Sequence, residues 1–515
     1  MPSDSSDSFR LTGPRAAVLQ VSVLVVALCG IVYELLIATV SSYLLGDSVR
    51  QFSITIGLFM AAMGLGAYIT RFVSTHLIAR FVIIEILVAL VGGLSTVILF
   101  LVFPWSGWYE PTMYGLIIII GTLVGMEIPL LTRVLSENGD LRRSIADVLS
   151  LDYIGALIGS VAFPLFLLPF LGLFRASFVI GFFNAGVALF NVAFFSTLLD
   201  FPKRYAALAV LVCTLLISVL ITSEQITAFA EGQLYADRII FAQQTRYQKI
   251  VLTKEDGTNH HRLYLDGHIQ FAESDEYRYH EALVHPVLSV PGPRNKILLL
   301  GGGDGLAVRE VLKYEDVQQI TLVDIDPAIT QISSTLAPIS RLNQGALQDP
   351  RVSIRNVDGF AFLRQSKEMF DRVIIDLPDP HNEALSKLYS VEFYTLLLRR
   401  MAVAGLVVSQ STSPLMTKET FQAIGETMHS AGLEVLRYKV NVPSFSGDWG
   451  FTLAGRSGYL PTAFTIPEGK TRFLTSQVMQ AATIFAKDEQ VTSTLTNSLF
   501  EPKLYLTYNR EAARW

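Results

Sequence analysis

Two hydrophobic patterns divide this chain. Between residues 16 and 222 apolar positions run in long blocks, whereas from 231 to 515 short apolar runs alternate with polar stretches. The blocks predict seven helical spans, at residues 17–44, 52–72, 81–103, 112–133, 149–170, 175–198 and 204–222, each long enough to cross a hydrocarbon core. In the second half, Lys249-Ile-Val-Leu-Thr253 and Arg262-Leu-Tyr-Leu-Asp266 read as strands, and Asp266-Gly267 is a hairpin signal. A small antiparallel sheet is expected there. Residues 297–300 then form a short apolar run of buried-strand type, followed by the glycine turn Gly301-Gly-Gly-Asp-Gly305 and a helix-like run to Tyr314. A second apolar run, 320–323, ends in Asp324. Strand, glycine turn, helix and acid-terminated strand make a nucleotide-binding βαβ unit. Two later strands end in Asp376 and Gln410. The expected fold class is a multi-pass α-helical membrane domain, a small antiparallel β-domain and an α/β Rossmann-like domain of methyltransferase type. The expected boundaries are a polar tail at 1–15, a membrane domain at 16–222, a β-subdomain at 223–290, the Rossmann-like domain at 291–457 and a C-terminal extension at 458–515.

Composition sharpens the first half. The chain has 515 residues, 51% hydrophobic and 17% charged, with a mean hydropathy of +0.43, which points to a membrane protein. A net charge of −5 argues against a nucleic-acid partner. Cys29 and Cys213 both fall in apolar runs, so neither a disulfide framework nor a zinc site is expected. Residues 3–8 are polar and acidic and the first apolar run is long, which predicts no cleavable signal. Arg10, Arg15, Arg71, Arg80, Arg133, Arg142, Arg143, Lys203 and Arg204 flank one side of the spans, and only Arg50 and Arg175 the other. The positive-inside rule then puts the N-terminus in the cytoplasm, with Arg133, Arg142 and Arg143 in one loop, and seven spans would put the second half outside. Glu34, Glu85, Glu127 and Asp152 lie within the apolar runs, a costly placement that suggests a cation role or bonding between helices. Gly125-Met-Glu-Ile-Pro129 is expected to break its helix and line a cavity.

Asp304 stands within the glycine turn. A carboxylate there repels phosphate and suits an amine or a sulfonium, while also serving as a helix cap. Asp324 suits the hydroxyls of a ribose.

The order of several motifs resembles the spermidine synthase family of aminopropyltransferases. They are Leu265-Asp-Gly-His-Ile-Gln270, Asp275-Glu276, Tyr279-His-Glu281, the glycine turn, Asp358-Gly359 and Asp376-Leu-Pro-Asp-Pro380, with Arg246-Tyr-Gln248 ahead of them. The resemblance covers about residues 230 to 455. The tail, with Arg472-Phe-Leu-Thr475 and residues 505–515, is similar to the branch that carries an N-terminal membrane domain. It implies transfer of an aminopropyl group from decarboxylated S-adenosylmethionine to putrescine, giving spermidine and methylthioadenosine, with no permanently bound cofactor and no metal. It further implies a homodimer or higher homo-oligomer, with the bilayer as the other partner. Carried over, Asp376 is the base, and Gln248, Gly301, Gly303, Asp304, Asp324, Asp358 and Gly359 hold the donor. Tyr279, His280, Asp304, Asp376, Asp379 and Gln410 hold the acceptor. Donor and acceptor are both cations. Asp304, Asp324, Asp358, Asp376 and Asp379 would meet at strand C-termini with almost no base nearby, as such ligands require. Turn and helix capping also account for Asp376 and Asp379.

The match departs from the family at three places: His381-Asn382 replaces Gly-Pro, Phe445 stands at a pocket tyrosine, and Val357 replaces a glycine. Putrescine is the default acceptor, with cadaverine, agmatine or spermidine as alternatives. Two rival readings remain at this point. One is an S-adenosylmethionine-dependent methyltransferase; the other is a membrane polyamine transporter or sensor with a non-catalytic domain. The expected location is the cell membrane. The substrates put the catalytic domain in the cytoplasm, against the span count.

Overall fold

A computed structural model of the chain describes residues 13–45, 48–103, 105–136, 141–222, 232, 235–491 and 493–515. The polar tail through Arg10 and the boundary expected near Ser223 lie outside the described residues. The chain divides into two compact units, 1–236 and 237–515.

The first unit is helical: α1 (Gly13–Leu45), α2 (Ser48–Ile69), α3 (Leu77–Val102), α4 (Ser106–Ser136), α5 (Leu141–Ala162), α6 (Leu168–Phe194) and α7 (Pro202–Ile221). Six helical stretches among the described residues are long and apolar enough to cross a membrane; one of them, 141–194, has 54 residues. At about 1.5 Å per residue that stretch would be roughly 80 Å long, and it is interrupted at Gly172, whose φ of 69° and ψ of −178° are not helical. The break falls in the gap the hydrophobic pattern left between 170 and 175. Close packing comes from small residues: a Cβ on Gly66 would lie 2.0 Å from the Thr122 carbonyl oxygen, and one on Gly125 2.2 Å from that of Met63. The backbones of α2 and α4 therefore touch, as membrane-type helix pairs do.

Three expectations for this unit fail. The α4 helix continues through Pro129; a proline removes one ladder bond and tight neighbours hold the helix together. Arg133 is not in a loop but within α4, donating to the carbonyls of Thr70 and Val73 at 2.8 and 2.9 Å and so serving the end of α2. Arg142 and Arg143 form the first turn of α5.

The second unit begins with an antiparallel sheet, order β1-β2-β3-β4, of β1 (Arg238–Gln244), β2 (Lys249–Lys254), β3 (His261–Leu265) and β4 (His268–Ala272). Asp266 (φ 49°) and Gly267 (φ 82°) both adopt positive φ, the backbone of a two-residue primed hairpin turn. After α8 (Glu276–Ser289) comes a seven-stranded sheet of order β10-β11-β9-β8-β5-β6-β7. Its strands are β5 (Lys296–Gly301), β6 (Gln319–Val323), β7 (Val352–Arg355), β8 (Phe370–Asp376), β9 (Met401–Gln410), β10 (Glu434–Val442) and β11 (Gly447–Gly455). β5 to β9 are parallel; β11 and β10 close one edge antiparallel. The central strands are apolar on both faces, as a doubly covered sheet requires.

Sequence boundaries and packing differ in this unit. α8, placed with the small sheet by the sequence, puts Leu283, Val284 and Val287 into one core with Ile297, Leu299 and Leu406 of the large sheet. Its apolar face follows the larger apolar surface. The C-terminal extension is also integral. Ile466, Leu474 and Met479 join that same core, and the buried Glu281 carboxylate accepts the backbone N–H groups of Arg472, Phe473 and Leu474 at 2.5, 2.8 and 2.8 Å. Glu281→Ala should strand those three donors. Bonds to a charged group contribute about 1.5–3 kcal/mol each, so faster amide exchange across 466–482 in the full chain is expected; unchanged exchange would refute the anchor.

Candidate active site

β5 and β8 lie side by side, and Gly301 is the register partner of Asp376. From this pair the chain winds outward in two directions, through β6 and β7 on one side and β9 on the other. That is the switch point where open α/β sheets hold ligands. Gly301 has a φ of 81°, and a Cβ on it would stand 1.9 Å from the Asp376 carbonyl oxygen. No other residue fits. The same carbonyl accepts the N–H of Gly302 at 3.1 Å.

The rest of the glycine turn shapes the acids. The Gly303 N–H donates to Asp324 Oδ2 at 3.1 Å, and a Cβ on Gly303 would come within 2.5 Å of that oxygen. Asp324 Oδ1 accepts from the Asp326 N–H at 2.9 Å; burial nevertheless raises the Asp324 carboxyl to about 6. Asp304 Oδ1 caps the helix α9 (Leu306–Leu312) through the Leu306 N–H at 2.8 Å and also lines the cavity. Capping and lining coexist.

The cavity has a volume of about 380 Å³, and its wall holds Asp266, Asp304, Asp324, Asp358, Asp376 and Asp379 against one lysine and no arginine. Asp376, the last residue of β8, is pushed up to about 6 by burial and by the charge of Asp304, against His280 and the Tyr279 hydroxyl, which donates to Oδ1 at 2.6 Å. Burial also lifts Asp379 to about 6, opposed by Tyr508 and Gln410, which donate to it at 2.9 and 3.2 Å.

Every residue carried over as base, donor-holding or acceptor-holding lines this cavity, but several stand there differently. His280 was expected to help hold an ammonium. Its Nδ1 is instead 2.8 Å from Glu276 Oε2, and Glu276 is clasped by both terminal nitrogens of Arg309 at 2.9 Å. Burial alone would lower the imidazole, yet the bond to Glu276 and its charge raise it to about 9. A cation repels an ammonium, so His280 faces Asp304 and Asp376 as their counter-charge. Asp358 caps the helix Gly359–Gln365 through Ala361 and accepts from Lys387 at 2.8 Å. Burial raises its carboxyl, and the bond and charge of Lys387 together with the backbone N–H groups of Ala361 and Phe360 bring it below its usual value. The expectation of almost no base nearby misses Lys387, which is paired to Asp358 at the rim. The Gln248 amide donates to Asp326 at 3.1 Å. Gln410 donates to the Leu377 carbonyl at 2.6 Å and to Tyr389 at 2.7 Å as well as to Asp379, joining strand-end bonding to a place in the wall.

Sequence reasoning missed Tyr508, Tyr389, Arg309, Trp449, the role of Glu276 and the stack of His268 on His381, whose rings lie 4.6 Å apart. Burial and the neighbouring His268 push His381 down to about 4. Tyr508 comes from the C-terminal helix, 129 residues from Asp379. No local spacing signals such a contact. Phe445, where a tyrosine was expected, packs 5.4 Å from the Tyr279 ring. Tyr279→Phe removes a bond that favours the Asp376 anion, so the Asp376 carboxyl should titrate above its present value. Infrared difference titration against Asp376→Asn reads that shift; an unmoved band would reject it.

Residues 276–460 match the family described as Spermine/spermidine synthase domain. The chain is 42% identical to a polyamine aminopropyltransferase of Leptospira interrogans over 96% of its own length and 98% of that protein. It is 41% identical to polyamine aminopropyltransferase 1 of Streptomyces coelicolor, covering 94% and 92%. A solved spermidine synthase from Thermotoga maritima is similar at 23% identity and a TM-score of 0.42, covering 48% of this chain and 85% of that one. With identity at this level running through both units, the chain belongs to the polyamine aminopropyltransferase family and is an enzyme of that type.

Proposed function

We propose that the acidic cavity transfers an aminopropyl group from decarboxylated S-adenosylmethionine to putrescine, forming spermidine and methylthioadenosine. The observation that carries this reading is a cavity wall of six aspartates and one paired lysine at the switch point, the charge balance that two cationic substrates need. In this reading Asp324 takes the ribose hydroxyls, the Gly301–Gly303 turn admits the sulfonium side of the donor, and Asp358 and Gly359 flank the adenine. Asp304 meets the donor's terminal ammonium. An intact S-adenosylmethionine would bring its own carboxylate against Asp304, which disfavours methyl transfer.

Asp376 and Asp379 hold the acceptor. The attacking amine forms an N–C bond at the methylene beside the sulfonium, the C–S electron pair returns to sulfur, and the amine proton passes to Asp376. An amine is a nucleophile only after losing that proton, so a carboxylate in hydrogen-bond reach assists. The imidazolium of His280 and the Tyr279 hydroxyl favour the Asp376 anion over the acid, keeping the base available near neutral pH.

We further place the helical unit in the bilayer and the α/β unit on its cytoplasmic side, where its substrates are. With a cytoplasmic N-terminus that placement needs an even number of crossings. A cysteine at exposed Asp256 should escape an impermeant maleimide in intact cells; its labelling would reject this sidedness.

Full chain supplied with decarboxylated S-adenosylmethionine and a panel of amines should yield spermidine and methylthioadenosine with putrescine. Asp376→Asn should lose on the order of 10²–10⁴ in turnover, the range of general-base catalysis. Asp376 works as the anion and its carboxyl sits at about 6, so kcat/KM should fall below that pH and level off above it on the base limb. A variant with wild-type turnover would remove Asp376 from the mechanism.

A further inference from the structure

The helical unit contains a second cavity, of about 400 Å³, walled by α1, α2, α4 and α5. Most of its wall is apolar, with Val26, Phe59 and Met63 prominent, and three acids stand among these side chains: Glu34, Glu127 and Asp152. Glu127 is 1% exposed, and among the described residues neither of its carboxylate oxygens has a hydrogen-bond partner. Glu85 of α3 is fully buried and lies close enough to Glu127 for the two carboxyls to act on each other directly, acid against acid. Adjacent buried carboxylates cannot both ionise unless a cation is near. Pro129, also in the wall, lacks the N–H that would have bonded the carbonyl of Gly125 one turn back. The lining includes no lysine, arginine or histidine. It is a chamber of acceptors and hydrocarbon.

That chemistry selects among cations. A hard divalent metal takes about six oxygen ligands, which apolar walls do not supply. An ammonium needs at most three acceptors, and an attached methylene chain gains from apolar contact. We propose that this cavity binds an alkylammonium ligand, a primary amine or short diamine, with its charged nitrogen at Glu127 and its methylenes against Val26, Phe59 and Met63. The site is separate from the acidic cavity of the α/β unit, and only the count of two putrescines per chain rests on putrescine also binding there.

Equilibrium dialysis of radiolabelled putrescine against the full chain in phosphatidylcholine nanodiscs, without donor, tests it. Wild type should bind two putrescines per chain. Glu127→Gln and, separately, Glu34→Gln should each lose about half of that binding while keeping the wild-type elution volume and thermal transition. If Glu127→Gln does not fold, Glu34→Gln decides alone. Wild-type stoichiometry in a folded variant would overturn the proposal. So would displacement of the half lost in the variants by sodium chloride but not by choline chloride at equal concentration, because the chamber would then be a site for small inorganic cations.

Discussion

The contact on which the α/β unit depends is the backbone-to-backbone approach of Gly301 and Asp376. Two parallel strands end together, and the carbonyl of one occupies the space a side chain would need on the other. This brings the glycine turn and the last carboxylate of β8 to one crevice. The turn's geometry then sets Asp324 against the Gly303 N–H and Asp304 over the start of a helix. A single side-chain carbon at Gly301 would push the glycine turn away from the end of β8 and its Asp376 carboxylate. Fold and chemistry share one constraint.

A crevice lined by six aspartates is electrostatically costly unless something favours the charged forms. The structure supplies two devices. Behind the wall, Arg309 clasps Glu276, and Glu276 holds His280 as an imidazolium facing Asp304 and Asp376. Along the wall, the Tyr279, Tyr508 and Gln410 donors are spent on Asp376 and Asp379. Burial still wins in part, so these carboxyls sit near 6 and not in the ordinary carboxylate range. A base at that value holds an ionised fraction at neutral pH and remains basic enough to accept a proton.

The helical unit repeats the theme with a different balance. Glycines on α2 and α4 bring backbones into contact, and the space left beside them is closed by hydrocarbon and by acids, of which Glu127 has no donor among the described residues. In the α/β cavity each principal acid has a partner. In the helical chamber Glu127 faces another acid, Glu85, and has no donor among the described residues, and that difference separates a paired carboxylate from an uncompensated acid.

Much of this protein was legible in the order of its residues. Apolar blocks marked the helices because runs of that length are long enough only for helices, and Gly172 breaks the backbone between the fifth and sixth blocks, where the pattern thinned. Glycines followed by acid-terminated apolar strands marked the βαβ unit because strand ends deliver their next residue to the crevice, as Asp324 and Asp376 do. What the sequence could not carry was any property of a pair distant along the chain. Tyr508 reaches Asp379 only because the extension folds back and is anchored on Glu281. Lys387 neutralises Asp358 across 29 residues, and His280 becomes a cation only beside Glu276 and Arg309. Spacing within a motif determines which chemical groups are present; their charge and their partners depend on which surfaces are buried together, and only the tertiary structure decides that.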